Sequence, residues 1–279
     1  MIKPVSKALS HLVMALAAIA FAVPLLWLLS SSLKPESQII EVPPNWIPRT
    51  FTLENFDKVL TTFPFMQWFV NSVVVAVIST AVVLLLSSMA AYALARFRFR
   101  GRDALLAVIV SMLLVPIQVT IVPLFILFSD WGELNTYTAL VLPTAANVTG
   151  VFLLRQFFLS IPRELEEAAR IDGASDLRIW WSIIMPLAKP ALAAVAALTF
   201  VSSWNNFMWP LVATSSDAVK TLPVGIAQFM SATSGASGSA PAYGPPLAAA
   251  VMATLPALIA FIALQRFFVA GVTSSGVKG

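Results

Sequence analysis

Six apolar runs divide this chain, each long enough to cross a hydrocarbon layer that takes about 20 helical residues to span. They lie near Leu9–Leu33, Phe69–Ala95, Ala104–Phe128, Thr138–Phe158, Ala191–Ala213 and Leu247–Phe268. The pattern predicts an all-α, polytopic membrane protein of six transmembrane helices, in one domain over residues 1–279. Pro24, Pro116, Pro123, Pro143 and Pro256 interrupt several runs. Such kinks are tolerated where neighbouring helices satisfy the freed carbonyls.

One polar interval differs from the others. Pro162–Pro186 reads PRELEEAARIDGASDLRIWWSIIMP, a charged, helix-forming stretch. Pro162 suits a first helical position, and Glu164, Glu166 and Glu167 load the first turns with acid, which the helix dipole favours. Ala168, Ala169 and Arg170 carry the helix on, and Gly173 offers a left-handed stop. Ser175 or Asp176 can cap a second short helix, Leu177–Ile184, which Pro186 closes. Two short helices at about a right angle make a rigid knob. Nothing soluble in this chain is large enough to be its socket.

The outer segments are of different kinds. Lys34–Gln67 is long and Pro-rich, with Trp46 and Trp68 as interfacial anchors. Ser129–Tyr137 is a short polar turn. Thr214–Pro246 is a long loop whose Ser231–Pro246 part, rich in Gly, Ser, Ala and Pro, reads as flexible.

Composition agrees with a membrane setting: 59% of residues are hydrophobic and 11% charged, against about 25% charged in soluble domains. The net charge of +4 implies no nucleic-acid partner, because the basic residues sit at the ends of the apolar runs. Thirteen of them (Lys3, Lys7, Arg96, Arg98, Arg100, Arg102, Arg155, Arg163, Arg170, Arg178, Lys189, Arg266 and Lys278) fall on the side of the knob. Four (Lys34, Arg49, Lys58 and Lys220) fall on the other. The positive-inside rule then places both termini and the knob in the cytoplasm of a multi-pass plasma-membrane protein. No A-x-A cleavage site closes the first run, which therefore reads as a retained anchor. The absence of cysteine excludes disulfides and thiolate metal sites. The sole histidine, His11, at the start of the first run, argues against a His metal centre or a Ser-His-Asp triad.

No G-x-x-x-x-G-K-[ST] phosphate loop is present, so the chain does not bind ATP in that manner. No Asp, Glu, Lys or Arg lies mid-span, where ion-coupled carriers keep one. Neutral polar groups do occur at depth. At about 1.5 Å per residue, Gln118 and Asn147 fall near mid-membrane and Asn205 and Asn206 somewhat outward, while Asn71 and Ser72 open the second span. Carboxamides beside indoles, as in Trp204-Asn205-Asn206 and Trp209, suit hydroxyl-rich substrates such as sugars. The other use of such amides is hydrogen bonding between helices. The sum is a membrane conduit with an inward knob and no energy source of its own, which calls for a cytoplasmic motor.

The knob carries a resemblance. Glu167-Ala168-Ala169, three residues, Gly173, nine residues, Ile183, one residue and Met185-Pro186 is similar to the EAA loop of ABC importer permeases, with Met185 in place of the usual Leu. From about Leu53 onward the chain resembles the smaller, six-span partner in the maltose/glycerol-3-phosphate branch of carbohydrate permeases. Asn71-Ser72, AYALARFRFRG at Ala91–Gly101, WNNFMWPL at Trp204–Leu211, TLPVG at Thr221–Gly225 and the ending QRFFVAGVTSSGVKG carry that likeness. The ending departs slightly from the family's GLTAGAVKG or GLTSGAVKG.

The resemblance implies a type I ABC importer permease fold in a bacterial or archaeal inner membrane. It implies two ATP-binding subunits that carry ATP and Mg, a second homologous permease, and an external solute-binding protein that delivers the substrate. This chain would hold no cofactor and catalyse nothing. Glu167, Ala168, Ala169, Asp172, Gly173, Ile183 and Pro186 would couple it to the ATPase, with Glu167 in polar contact, the alanines allowing close seating and Gly173 making the turn. The Gly271–Gly279 tail would also meet the ATPase, and the Thr214–Pro246 loop would reach toward the binding protein. Gln118, Asn147, Trp204, Asn205 and Asn206 are the candidate substrate path, open also to a purely helix-packing role. The substrate expected is a sugar or oligosaccharide, with glycerol-3-phosphate or an amino sugar as alternatives on the same machinery. A polytopic membrane enzyme is a distant alternative: the only carboxylate cluster, Glu164-Glu166-Glu167, has no histidine partner.

Overall fold

The computed structural model describes the backbone of residues 4–233 and 242–275, with side chains over 9–233, 242–260 and 262–263. Among the described residues all regular structure is helical. In chain order the helices are α1 (Pro4–Ser32), α2 (Glu36–Ile39), α3 (Glu54–Thr62), α4 (Phe65–Arg96), α5 (Arg102–Ser111), α6 (Ile117–Asp130), α7 (Tyr137–Val141), α8 (Val148–Ser160), α9 (Glu164–Ile171), α10 (Asp176–Ile179), α11 (Met185–Leu187), α12 (Lys189–Trp204), α13 (Met208–Ala213), α14 (Leu222–Thr233) and α15 (Gly244–Ser275).

Three expected spans fall in single helices, Leu9–Ser32 within α1, Phe65–Arg96 as α4 and Leu247–Phe268 within α15. The run Ala104–Phe128 is not. Pro116 forces Val115 into extended backbone (φ −85°, ψ 116°), and the helices on either side bend by 100°. The run Thr138–Phe158 is likewise broken before Asn147, with a bend of 42°. Ala191–Ala213 stops at Trp204 and resumes at Met208. Pro24 and Pro256, by contrast, sit inside unbroken helices. The Thr214–Pro246 stretch is no continuous loop, since α14 occupies Leu222–Thr233 and α15 begins at Gly244. The Gly/Ser-rich residues 234–241, and 276–279 of the terminal tail, lie outside the described residues.

The knob forms with two corrections and one open choice decided. Pro162 precedes the N-cap, Arg163, instead of opening α9. Ser175, not Asp176, caps the second limb, its hydroxyl accepting from the Arg178 amide at 3.4 Å. Pro186 does not close that limb: a π turn over Trp180–Ile184 leads into α11, and the chain bends only at Ala188, by 81° into α12. The π turn already shifts the hydrogen-bond ladder by one residue, so a missing N–H at Pro186 is accommodated there. Gly173 adopts φ +78°, the left-handed stop expected of it.

The chain forms two compact units. The first takes Met1–Met66 and Gly225–Leu255. In it, Asn55 donates to the carbonyls of Ser32 (2.9 Å) and Lys34 (2.8 Å), closing the end of α1. The Glu36 carboxylate accepts from the amides of Tyr243 (2.8 Å) and Gly244 (3.0 Å), where the start of α15 favours negative charge. A Cβ on Gly244 would lie 2.2 Å from Asn55 Oδ1, so only glycine fits. Lys34 is buried; its ammonium donates to the Asn45 carbonyl and sits 4.5 Å from the centre of the Trp27 ring, and burial lowers its pKa.

The second unit takes Gln67–Val224 and Pro256–Gly279. It holds two cores. One joins Val83, Ala91, Tyr92 and Ala95 of α4 to Leu154 and Phe158 of α8 and to Ile179, Trp180 and Ile184 of the knob. The other joins Val75, Phe128, Ala139, Leu140, Trp209 and Ala213.

Candidate functional site

The knob presents two faces. Ala169 and Ile183 are half-buried against the first core and hold it to the bundle. Glu167, Ala168, Asp172, Gly173 and Pro186 are exposed, together with Ile171 (86% exposed), Leu177 and Trp181. Large apolar side chains beside acids on a projecting element make a surface suited to a protein partner. Arg170 pairs with Asp176 at 2.8 Å across the Gly173 turn and stiffens it. That hydrogen bond raises the arginine's pKa further.

The sequence reading missed what anchors this element. Glu166, one residue before the EAA stretch, is buried and pairs with Arg96 at the end of α4 (2.5 Å). Tyr92 donates to its other oxygen at 3.3 Å, and Arg96 also donates to the Ile161 carbonyl at 2.9 Å. A signal was available: Glu166 and Ala169 lie three apart and share one face of α9. Charge counting along the sequence gives Arg96 a topological role alone.

The substrate-path candidates separate. A cavity of about 240 Å³ lies within the second unit, with Thr120, Thr144, Asn147, Thr199, Ser202, Ser203 and Asn206 as its polar lining. Ile117, Ile121, Leu124, Pro143, Ala146 and Trp209 form the rest. A second hollow, about 230 Å³, shares Asn147, Thr199 and Ser202 and adds Thr149. No acid or base lines either. Asn147 caps α8, its Oδ1 accepting from the Gly150 amide at 2.6 Å. Its NH₂ is not used by that cap. Asn206 follows the break after Trp204 and lines the cavity.

The other three candidates do not reach the cavity. Gln118 is exposed outside the lining. Trp204 is buried between Phe69 (centroids 5.6 Å) and Phe200 (6.2 Å), as packing. Asn205 turns back onto the Val201 carbonyl at 2.9 Å. The aromatic wall is Trp209, held by its N–H to the Ala139 carbonyl at 2.8 Å. Thr199, Ser202 and Ser203 stand at i, i+3 and i+4 of α12, with Asn206 just past its end; the three hydroxyls are a stripe legible in the sequence but not singled out there.

At the N-terminal end of α4 the stretch 214–221 is strapped down. Asn71 donates to the carbonyls of Lys220 (2.9 Å), Ala218 (3.1 Å) and Asp217 (3.3 Å), and accepts from the Tyr137 hydroxyl at 2.7 Å. Ser72 accepts from the Leu222 amide at 2.7 Å, and Asn135 Oδ1 accepts from the amides of Ser215 and Ser216. Asp217 accepts from Lys220 (2.7 Å) and from the Trp68 indole (3.0 Å).

The family model of the binding-protein-dependent transport system inner membrane component matches residues 83–274, which include the knob and both hollows. The chain belongs to this family. Among the relatives of this permease is the arabinooligosaccharides transport system permease protein AraQ of Halalkalibacterium halodurans, 39% identical over 92% of this chain and 91% of that protein. Another is the sn-glycerol-3-phosphate transport system permease protein UgpE of Yersinia pestis, 32% identical over 95% of each chain. The crystal structure of a bacterial ABC transporter involved in the import of alginate has the same fold, with TM-score 0.81, 24% identity, and coverage of 95% of this chain and 96% of that one. This permease is thus an inner-membrane component of all-α, type I importer architecture.

The strap of this permease should respond to acid. Asp217 is held below the ordinary carboxylate value of 3.8, first by the hydrogen bond from Lys220 and then by that from Trp68. A carboxylate depressed on folding contributes stability above its unfolded pKa and loses it as pH falls through the folded one. Amide exchange at Val219–Leu222 should therefore quicken only below about pH 4. Asp217→Asn should make exchange fast and nearly pH-independent once intrinsic chemistry is corrected for. A strap that stays equally protected through that window would show that Asp217 does not hold it.

Proposed function

We propose that this permease imports a neutral sugar or oligosaccharide, driven by two ATP-binding subunits, one of which takes the Pro162–Pro186 knob in a cleft. The observation that carries the substrate class is the uncharged cavity. Its seven hydroxyl and carboxamide side chains can exchange hydrogen bonds with a polyol, and the Trp209 ring can face the apolar side of a pyranose. The arabinooligosaccharide relative supports the same class. The glycerol-3-phosphate relative keeps a second reading open. A phosphate is met by arginine or lysine, and none lines this cavity. An amino sugar belongs with that second reading.

In this scheme ATP and Mg are bound by the partner subunits and this chain is non-catalytic. A second homologous permease completes the path, a solute-binding protein delivers the sugar from outside, and both termini lie in the cytoplasm. Closure of the ATPase pair pushes on the knob and turns the spans from inward-open to outward-open. Reconstituted with its partners, the permease should take up neutral oligosaccharides and leave glycerol-3-phosphate behind. Thr199→Val with Asn206→Leu should raise the half-saturating sugar concentration about tenfold, as two lost hydrogen bonds would. Uptake of glycerol-3-phosphate with none of any sugar would overturn the substrate class.

A further inference from the structure

The Glu166–Arg96 pair is used by nothing above, and it sits where the first helix of the knob meets the end of α4. Both side chains are at least 95% buried. Each is tied a second time, Glu166 by the Tyr92 hydroxyl and Arg96 by the Ile161 carbonyl. Tyr92 and Arg96 lie four apart on α4, so one carboxylate is gripped by two successive turns of that helix. Ile161 is the residue at which α8 ends and the chain enters the knob. The guanidinium therefore ties α4 to the entrance of the knob as well as to its first helix.

Burial of this kind is weak evidence for stability, because apolar residues of similar size do as well or better. What a buried ion pair with two further hydrogen bonds supplies is a fixed geometry. We infer that Glu166, Arg96 and Tyr92 lock the knob and the inner end of α4 into one rigid lever, so that motion imposed on the knob reaches the second span instead of being absorbed in the Ile161–Arg163 connection. These are positioning residues. They act on transport through the knob and touch neither substrate nor nucleotide. The inference rests on the reading of the knob as the ATPase-facing lever.

The test uses the full transporter in proteoliposomes with its binding protein. Three quantities are read: ATPase subunits retained on purification, hydrolysis, and sugar taken up per ATP. Glu166→Gln keeps the shape of the side chain and removes its charge. It should retain the ATPase and its hydrolysis but lower uptake per ATP by about tenfold, within the range of coupling between sites. Spin labels at exposed Glu164 and Arg98 (the chain has no native cysteine) should hold one separation through the ATP cycle in the parent and broaden in the variant. Unchanged uptake per ATP would overturn the inference. So would loss of the ATPase from the complex, which would reduce the pair to folding the knob. If Glu166→Gln does not accumulate, Arg96→Met with Glu166→Leu removes both charges together, and the same criteria apply. Gly173→Asp serves as the control on the underlying reading. If it too leaves uptake unchanged, the lever reading itself fails, whatever the pair does.

Discussion

Gly173→Asp is expected to abolish uptake while the protein stays in the membrane at close to its normal level. The reason lies outside the chain. Gly173 has φ +78°, where a side chain is strained, but Asp and Asn bear that conformation better than other residues. A Cβ built there meets nothing within 4 Å. The cost to folding is therefore about 1 kcal/mol, too little to remove the protein. The new carboxylate would instead stand beside exposed Glu167 and Asp172, on the surface that the proposed ATPase contact would use. Glu167→Ala probes the same surface without backbone strain and should lower uptake less. Immunoblots of membranes, recovery of the ATPase subunits and initial uptake rates decide the matter. Wild-type uptake in Gly173→Asp would mean that the knob is not where force enters.

Why the knob could be found in the sequence, and much of the path could not, follows from the physics of each. A left-handed glycine, a Ser cap and an acidic first turn are local requirements, so the residues that meet them sit next to one another in the chain. The Arg96–Glu166 pair joins residues 70 positions apart, and nothing local marks either as buried. Pro116 and Pro143 predict no more than kinks, because proline alone does not set the bend; what packs around it does. Pro256 leaves its helix intact while Pro116 turns the chain by 100°. The sequence offers two aromatic neighbours for the cavity and, for a related reason, does not choose between them. Trp204 and Trp209 lie in one motif, and only packing against Phe69 and Phe200 removes the first from the path. Family likeness supplied the architecture that periodicity left open, and the cavity then supplied the hydroxyl stripe that the likeness did not name.

Asn71→Asp is expected to damage the permease more than Asn71→Ala, the reverse of what size would suggest. The Asn71 carboxamide is buried and spends its NH₂ on the carbonyls of Asp217, Ala218 and Lys220, its oxygen on the Tyr137 hydroxyl. Alanine leaves these groups without a partner, at about 1–3 kcal/mol for each that water cannot reach. Aspartate keeps the bond from Tyr137 but turns an anion toward three carbonyl oxygens. Like-signed partial charges at hydrogen-bond distance in a buried site add to the desolvation of the anion itself. In both variants the 214–221 stretch should come loose from α4. Proteolysis there should quicken by about tenfold or more in Asn71→Ala and further in Asn71→Asp. If that stretch is the outer surface on which a binding protein seats, uptake stimulated by the loaded binding protein should fall in the same order, while the knob still retains its ATPase. Equal protection in all three proteins would mean that Ser72, Asn135 and the Trp68–Asp217 bond hold the strap without Asn71. Fast proteolysis with undiminished uptake would mean that the binding protein seats elsewhere.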